Sequence, residues 1–238
     1  MCGRYTLKKR PEELRKKVPF QGDSRALSPR YNIAPTQWAP VITADRKLTL
    51  MRWGLIPSWA KDPAIGNRMI NARSETLDIK PAFGRLLRHH RCLIPADGFY
   101  EWKKIGRGKQ PYYIQINQGE PFAMAGLWDH WQDPHGTELE TFTIITTEAP
   151  PVMRELHPRM PAILAPGAQD QWLDHNSPCD PLPQLLTAWT ENNLSLTPVN
   201  PLVNSPAHDD PRCVQPLQIP PASPLPTSSS PQNLELDL

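Results

Sequence analysis

Thirty prolines in 238 residues set the tightest limit on what this chain can fold into, and they crowd after Pro150. Proline lacks a backbone donor and locks φ, so it ends helices and stays out of central strands. The distribution predicts only short helices late in the chain. From about Gln218 the residues are mostly Pro, Ser, Gln and Leu with no aromatics, a composition that buries too little apolar surface to order itself. The reading is therefore one domain over 2–217 and a Pro/Ser-rich disordered tail over 218–238. A hydrophobic fraction of 39% supports a core in that single domain.

Periodicity assigns the elements. Tyr112, Ile114 and Ile116 alternate with Tyr113, Gln115 and Asn117, as a half-buried strand requires. Asn117–Glu120 reads as a turn, with Phe122–Leu127 as the hairpin partner. Leu48–Trp53, stopped by Gly54 and Pro57, is a further strand, as are Cys92–Ile94, Phe99–Lys104 and Glu140–Thr146. Pro11–Val18, Gln169–Leu173 and Pro183–Thr190 read as short helices, Ser74–Leu87 as a helical stretch broken at Pro81, and Tyr31–Pro35 as a loop. Many short strands with few helices predict an α+β fold, β-rich, antiparallel and barrel-like with short peripheral helices.

Charge and cysteines narrow the function classes. Residues 1–110 hold 23 Lys and Arg against 9 Asp and Glu, while the rest hold 3 against 15. That asymmetry suggests a basic surface for a polyanion. The cysteines at 2, 92, 179 and 213 form no C-x-x-C pair, so zinc-ribbon spacings are absent and no metal is expected. No apolar run reaches the ~18 residues of a membrane span, and the start lacks the apolar region of a signal peptide. The expectation is a cytoplasmic protein with no membrane role, in a reducing compartment that keeps Cys2 a free thiol.

Four segments carry candidate chemistry. Removal of Met1 would expose an amine and a thiol on Cys2; the amine, with a pKa of ~7.7–8.0, is partly neutral near pH 7. Its amine condenses with an aldehyde to a Schiff base, and the thiol then closes a thiazolidine ring. The same residue is also fit to attack an amide as an N-terminal nucleophile. Arg4 beside it is expected to lower the thiol pKa. In Ile70–Thr76, Asn71 and Arg73 stand two apart, on one face of an extended chain. In Pro95–Trp102, Glu101 sits among aromatics that raise a carboxyl pKa and suit it to proton exchange, and Trp102 offers a face for base stacking. In Leu156–Pro161, His157 and Arg159 lie in a stiff proline frame. Taken singly, these segments read more readily as a frayed terminus, a polar loop, a solvated Glu beside a core Trp, and a structural His.

Together they do not. M-C-G-R-Y, R-Y-N-I-A-P, W-G-L-I-P-S-W, I-N-A-R-S-E-T, R-C-L-I-P-A-D-G-F-Y-E-W and L-H-P-R-M-P-A-I-L follow one another, with V-N-S-P around Asn204 and D-D-P around Asp210. Over roughly residues 2–216 the chain closely resembles the SRAP family, the SOS-response-associated peptidases also described as abasic-site processing proteins. The resemblance implies a compact β-rich domain with a basic cleft for single-stranded DNA containing abasic sites. It casts Cys2 as the nucleophile of a reversible thiazolidine crosslink, Asn71 as the amide that positions it, and Glu101 and His157 as proton carriers. Arg4, Arg73 and Arg159 would hold phosphates with Asn32 and Thr147 nearby, while Trp59 and Trp102 would stack on bases. Relatives often carry an acidic residue after the histidine; here it is Pro158, which bears on the orientation of His157. No metal or organic cofactor is implied. The expected protein is a monomer, nucleoid-associated when bound to DNA. The alternative activity is a cysteine-type (auto)peptidase using Cys2, and a third reading is a plain single-strand-binding module.

Overall fold

The computed structural model describes residues 2–25, 27–176, 182–187 and 194–217. The expected tail and the end of the Pro183–Thr190 helix lie outside them. Thirteen strands occur among these residues: β1 Tyr5–Leu7, β2 Arg30–Ile33, β3 Trp38–Ile42, β4 Leu48–Trp53, β5 Asn71–Arg73, β6 Arg91–Ala96, β7 Gly98–Ile105, β8 Gly108–Ile116, β9 Phe122–Gln132, β10 Glu138–Glu148, β11 Arg159–Pro161, β12 Ile163–Leu164 and β13 Leu194–Pro198. The α-helices are short: α1 Pro11–Lys17, α2 Pro81–His89, α3 Pro151–Arg154, α4 Ala168–Leu173 and α5 Leu182–Leu185. Proline stands at the first or second position of α1, α2 and α3, where its missing donor costs nothing.

Strands β4, β3, β6, β9 and β10 pair in sequence, and β10 returns to pair with both β9 and β4, which closes a five-strand barrel. β5 and β11 flank the second half of β10, and β12 continues from β9. A second sheet, ordered β13-β8-β7-β1-β2, lies against the barrel. Trp53 joins the two layers: it meets Tyr5 edge-on at 5.3 Å and stacks on Phe142 at 6.2 Å, all three fully buried. The fold is β-rich α+β, as the sequence implies.

Two local readings differ. Phe122–Leu127 is not the hairpin partner of Tyr112–Ile116: β8 pairs with β7 and β13, whereas β9 belongs to the barrel. The turn at Asn117–Gly119 carries the chain from one sheet to the other, with Gln118 at φ 60°. Nor is Tyr31–Pro35 all loop, since Arg30–Ile33 forms β2 against β1. The free amides of Tyr31 and Asn32 go to Asp209, at 2.5 and 2.9 Å. Both pairings are long-range, so local composition does not announce them.

Candidate active site

The register of β1 on β7 places Cys2. Tyr5 faces Phe99, Thr6 faces Gly98, and the Tyr100 amide donates to the Arg4 carbonyl at 3.0 Å. Continued by two residues, this pairing lays Cys2 beside Glu101 and Trp102. Fully buried Asp97 fastens β1 down: it accepts from Thr6 Oγ1 at 2.5 Å and from the Lys8 and Lys9 amides at 2.5 and 2.9 Å. Gly98 is required here, because a Cβ would fall 2.3 Å from the Tyr113 hydroxyl that packs against Thr6.

With Met1 in place Cys2 is fully buried, and its thiol lies 3.8 Å from the Arg4 carbonyl. Burial first, and the adjacent Glu101 second, push the thiol pKa up, so the sulfur keeps its proton at neutral pH. The lowering expected from the Arg4 charge is absent: of that residue only the contact to its backbone carbonyl acts downward, and burial outweighs it. Its guanidinium turns away to donate to Asn32 Oδ1 at 2.8 Å, to the Val203 carbonyl at 2.5 Å and to the Asn204 carbonyl at 3.1 Å.

Glu101 is 3% exposed. Burial raises its pKa above the ordinary 4.5, against the opposing positive charge of the amino terminus and of His157. A carboxyl whose folded pKa is raised binds more protons folded than unfolded, so it favours folding at low pH and opposes it as pH climbs past 4.5. Glu101→Gln should therefore melt a few degrees above the native chain at pH 7, on the order of 1 kcal/mol. The difference should vanish at pH 4; thermal denaturation at the two pH values checks this.

Asn71 and His157 stand on segments attached to barrel strand β10. Trp53 Nε1 donates to the Ile70 carbonyl at 2.9 Å, fixing the start of β5 and so Asn71. Asn71 Nδ2 takes the same carbonyl at 2.8 Å, and its Oδ1 is buried without a hydrogen-bond partner. Such an acceptor is costly unless a donor arrives. His157 follows α3, its Nδ1 3.0 Å from the backbone nitrogen and oxygen of Arg159. The Lys103–Glu155 ion pair, at 3.2 Å, ties β7 to this loop.

The residues expected to face DNA divide into two groups. Trp59 is 62% exposed, on a loop pinned by Ile56 N to Thr141 Oγ1 and Ser58 N to Asp129, both 2.8 Å, and by Trp131 Nε1 to the Ala60 carbonyl at 2.7 Å. Gly54 starts that loop at φ 121°, where a Cβ would fall 2.6 Å from the Gly66 carbonyl oxygen. Arg73 is exposed. Trp102 is half-buried, its ring 6.0 Å from the Arg4 guanidinium and its Nε1 donating to Asn204 Oδ1 at 2.8 Å.

The others are occupied. Asn32 is fully buried, donating to the carbonyls of Val203, Ser205 and His208. It has no surface for a DNA contact and acts by holding the closing segment, and Arg4, in place. Arg159 is forked on Glu75 by two 3.0 Å bonds and also bonds Thr146, so a phosphate would have to displace a carboxylate. Burial raises the Glu75 pKa, but the Arg159 fork outweighs it and the net shift is downward. Thr147 is 8% exposed. The sequence reading missed Asp97, Asp209, Asp129 and Glu75; no spacing marks them, because each serves a partner distant in sequence.

No cluster of three or more His, Cys, Asp or Glu that could hold a metal occurs among the described residues, and no described helix is long and apolar enough to cross a membrane. Residues 1–206 match the family model described as SOS response associated peptidase (SRAP). The abasic site processing protein YoqW of Bacillus subtilis is 40% identical over 222 residues, covering 90% of this chain and 99% of that protein. The abasic site processing protein HMCES of Gallus gallus is 36% identical over 227 residues, covering 80% of this chain and 67% of that protein. A crystal structure of a protein from Bacteroides thetaiotaomicron superposes with a TM-score of 0.83 at 29% identity, over 91% of this chain and all of that one. On motif order, fold and the match over most of its length, the chain belongs to the SOS response associated peptidase (SRAP) family.

Proposed function

We propose that this protein captures abasic sites in single-stranded DNA by a covalent, reversible crosslink to Cys2 after Met1 is removed, shielding the lesion during the DNA damage response. The observation that carries this reading is the buried Glu101 carboxyl set close enough to both the Cys2 thiol and His157 for their charges to act on one another, with Asn71 holding a buried oxygen that lacks a hydrogen-bond partner. Relatives named as abasic site processing proteins support the substrate.

Order of events follows from protonation. A thiol held protonated by burial is a poor first nucleophile, whereas the terminal amine is partly neutral near pH 7. The amine attacks the aldehyde carbon of the ring-opened sugar, with Asn71 Oδ1 accepting one of its hydrogens and fixing its direction. Glu101, whose burial favours its protonated form, delivers its proton to the hydroxyl that leaves as water, which gives the protonated imine. The thiol then adds to the C=N bond: sulfur bonds to carbon, the C=N electron pair settles on nitrogen, and the thiol proton goes to the Glu101 carboxylate, which restores the acid. One water is lost overall, and reversal consumes one. His157, which interacts electrostatically with Glu101, relays protons to and from the opened sugar in this reading. No metal or redox partner is required for this sequence.

Denaturing electrophoresis over a time course tests the proposal, with a strand carrying one abasic site beside the same strand intact. The abasic strand alone should shift. Glu101→Gln should reach a similar end point at a rate slower by about 10²-fold, the ordinary contribution of a positioned acid–base group. Equal shifting of the intact strand would refute aldehyde capture, and an unslowed Glu101→Gln would remove Glu101 from the chemistry.

A further inference from the structure

The β7–β8 hairpin runs on past the site. β13 and Val199 after it accompany β8 from Pro111 to Ile116, and the segment leading into β1 bonds β7 as far as Tyr100. Gln110 bonds the Val199 carbonyl and Lys103 pairs with Glu155, so residues 104–109 beyond them project as a two-stranded ribbon closed by a Gly106–Arg107 turn, with Gly106 at φ 56°. Isolated ribbons of this kind are only marginally stable in water.

This ribbon is loaded with like charge. Lys104 stands directly opposite Lys109, and directly opposed like charges destabilise a strand pair. Arg107 occupies the apex between them, and all three are exposed. No ion pair links any of the three to a carboxylate among the described residues, whereas Lys103, on the other face, pairs with Glu155. Strand alternation puts Lys104 on the Trp102 side, and Lys109 shares that side with Pro111. Arg4, Trp102, Lys104, Lys109 and Arg107 thus form one strip that starts beside Cys2 and extends roughly 10–15 Å outward at ~3.3 Å per residue.

We propose that this hairpin is a second DNA contact, in which Lys104, Arg107 and Lys109 hold phosphates of the strand as it runs on from the lesion stacked near Trp102. The inference rests on the abasic-site reading above. It assigns the unfavourable lysine pair a role that local folding does not explain: the repulsion is relieved when a polyanion lies between them.

The test uses Lys104→Gln/Arg107→Gln/Lys109→Gln in a Cys2→Ala background, so that equilibrium binding is read without covalent capture. Strands of about five and about twenty nucleotides bracket the reach of a single-strand site. For the long strand, the slope of log K against log salt should fall by about two, at ~0.7 per phosphate contact for three cations. Affinity for the long strand should drop about tenfold or more at low salt, while the short strand changes little. With Cys2 restored, the hairpin variant should crosslink the short strand as the native chain does, which shows that fold and chemistry survive. Lys104→Glu should raise the melting temperature by giving Lys109 a partner, yet weaken long-strand binding. An unchanged salt slope and an unchanged ratio of long- to short-strand affinity, with crosslinking intact, would overturn the hairpin assignment alone. Failure of the native protein to bind or crosslink the abasic strand would overturn both readings.

Discussion

Cys2→Ser, freed of Met1, leaves an adduct that survives denaturation only after borohydride reduction. The variant keeps its terminal amine, so condensation with the aldehyde proceeds and the imine forms. The hydroxyl is a weaker nucleophile than sulfur and closes a less stable ring, so water returns the imine to aldehyde once the protein unfolds. Cys2→Ala behaves alike, with no second nucleophile at all. In both, the stable band should fall to background while non-covalent binding of the strand persists, because the cationic groups around the site are untouched. Parallel gels with and without borohydride read the difference. A band of native strength from Cys2→Ala without reductant would place the covalent bond elsewhere.

Arg91→Met should be the most damaging change remote from the site. Arg91 is fully buried. Its guanidinium donates to the Trp172 carbonyl at 2.5 Å, to Leu87 at 2.6 Å and to Arg88 at 3.3 Å, and also bonds the Asp174 carbonyl. These carbonyls end α2 and α4, where the last turn leaves oxygens without helical partners and the dipole favours a cation. One side chain thus caps two helices and packs 5.8 Å from the Trp172 ring. Methionine fills similar volume but strands several buried acceptors, at about 3–5 kcal/mol in total. For a domain of this size that lowers the melting temperature by roughly 10 °C. Arg91→Lys should recover only part, since an ammonium cannot span both helix ends. A shift of only one or two degrees in Arg91→Met would show that the two helix ends do not depend on it.

What the sequence made legible follows from which interactions are local. Leu48–Trp53 is read to the residue because its apolar content is local and the Gly54 and Pro57 stops follow directly after it. Cys2, Asn71, Glu101 and His157 are picked out by residue type and motif order, and the structure sets Glu101 close to Cys2 and to His157. Pairings set at long range were not readable: β2 on β1, and β9 in the barrel rather than on β8. The same limit applies to side chains. Nothing near Asn32 in the sequence shows that its amide is spent on carbonyls at 203, 205 and 208. Nothing near Arg159 shows that Glu75 occupies its fork. The thiol of Cys2 makes the point most sharply: proximity to Arg4 in sequence suggests a lowered pKa, while burial in the fold raises it.

The central claim is that residue 2 supplies both bonds of the crosslink through its own amine and thiol. Intact-mass measurement under denaturing conditions tests it most directly, on Met1-processed protein incubated with a single-stranded oligonucleotide holding one abasic site. The account predicts one adduct, at the sum of the two masses less one water. Borohydride should not add two hydrogens to it, because the thiazolidine has no C=N bond to reduce, and protein retaining Met1 should give none. An adduct of the same mass from protein with Met1 in place, or no adduct from fully processed protein, would contradict the account.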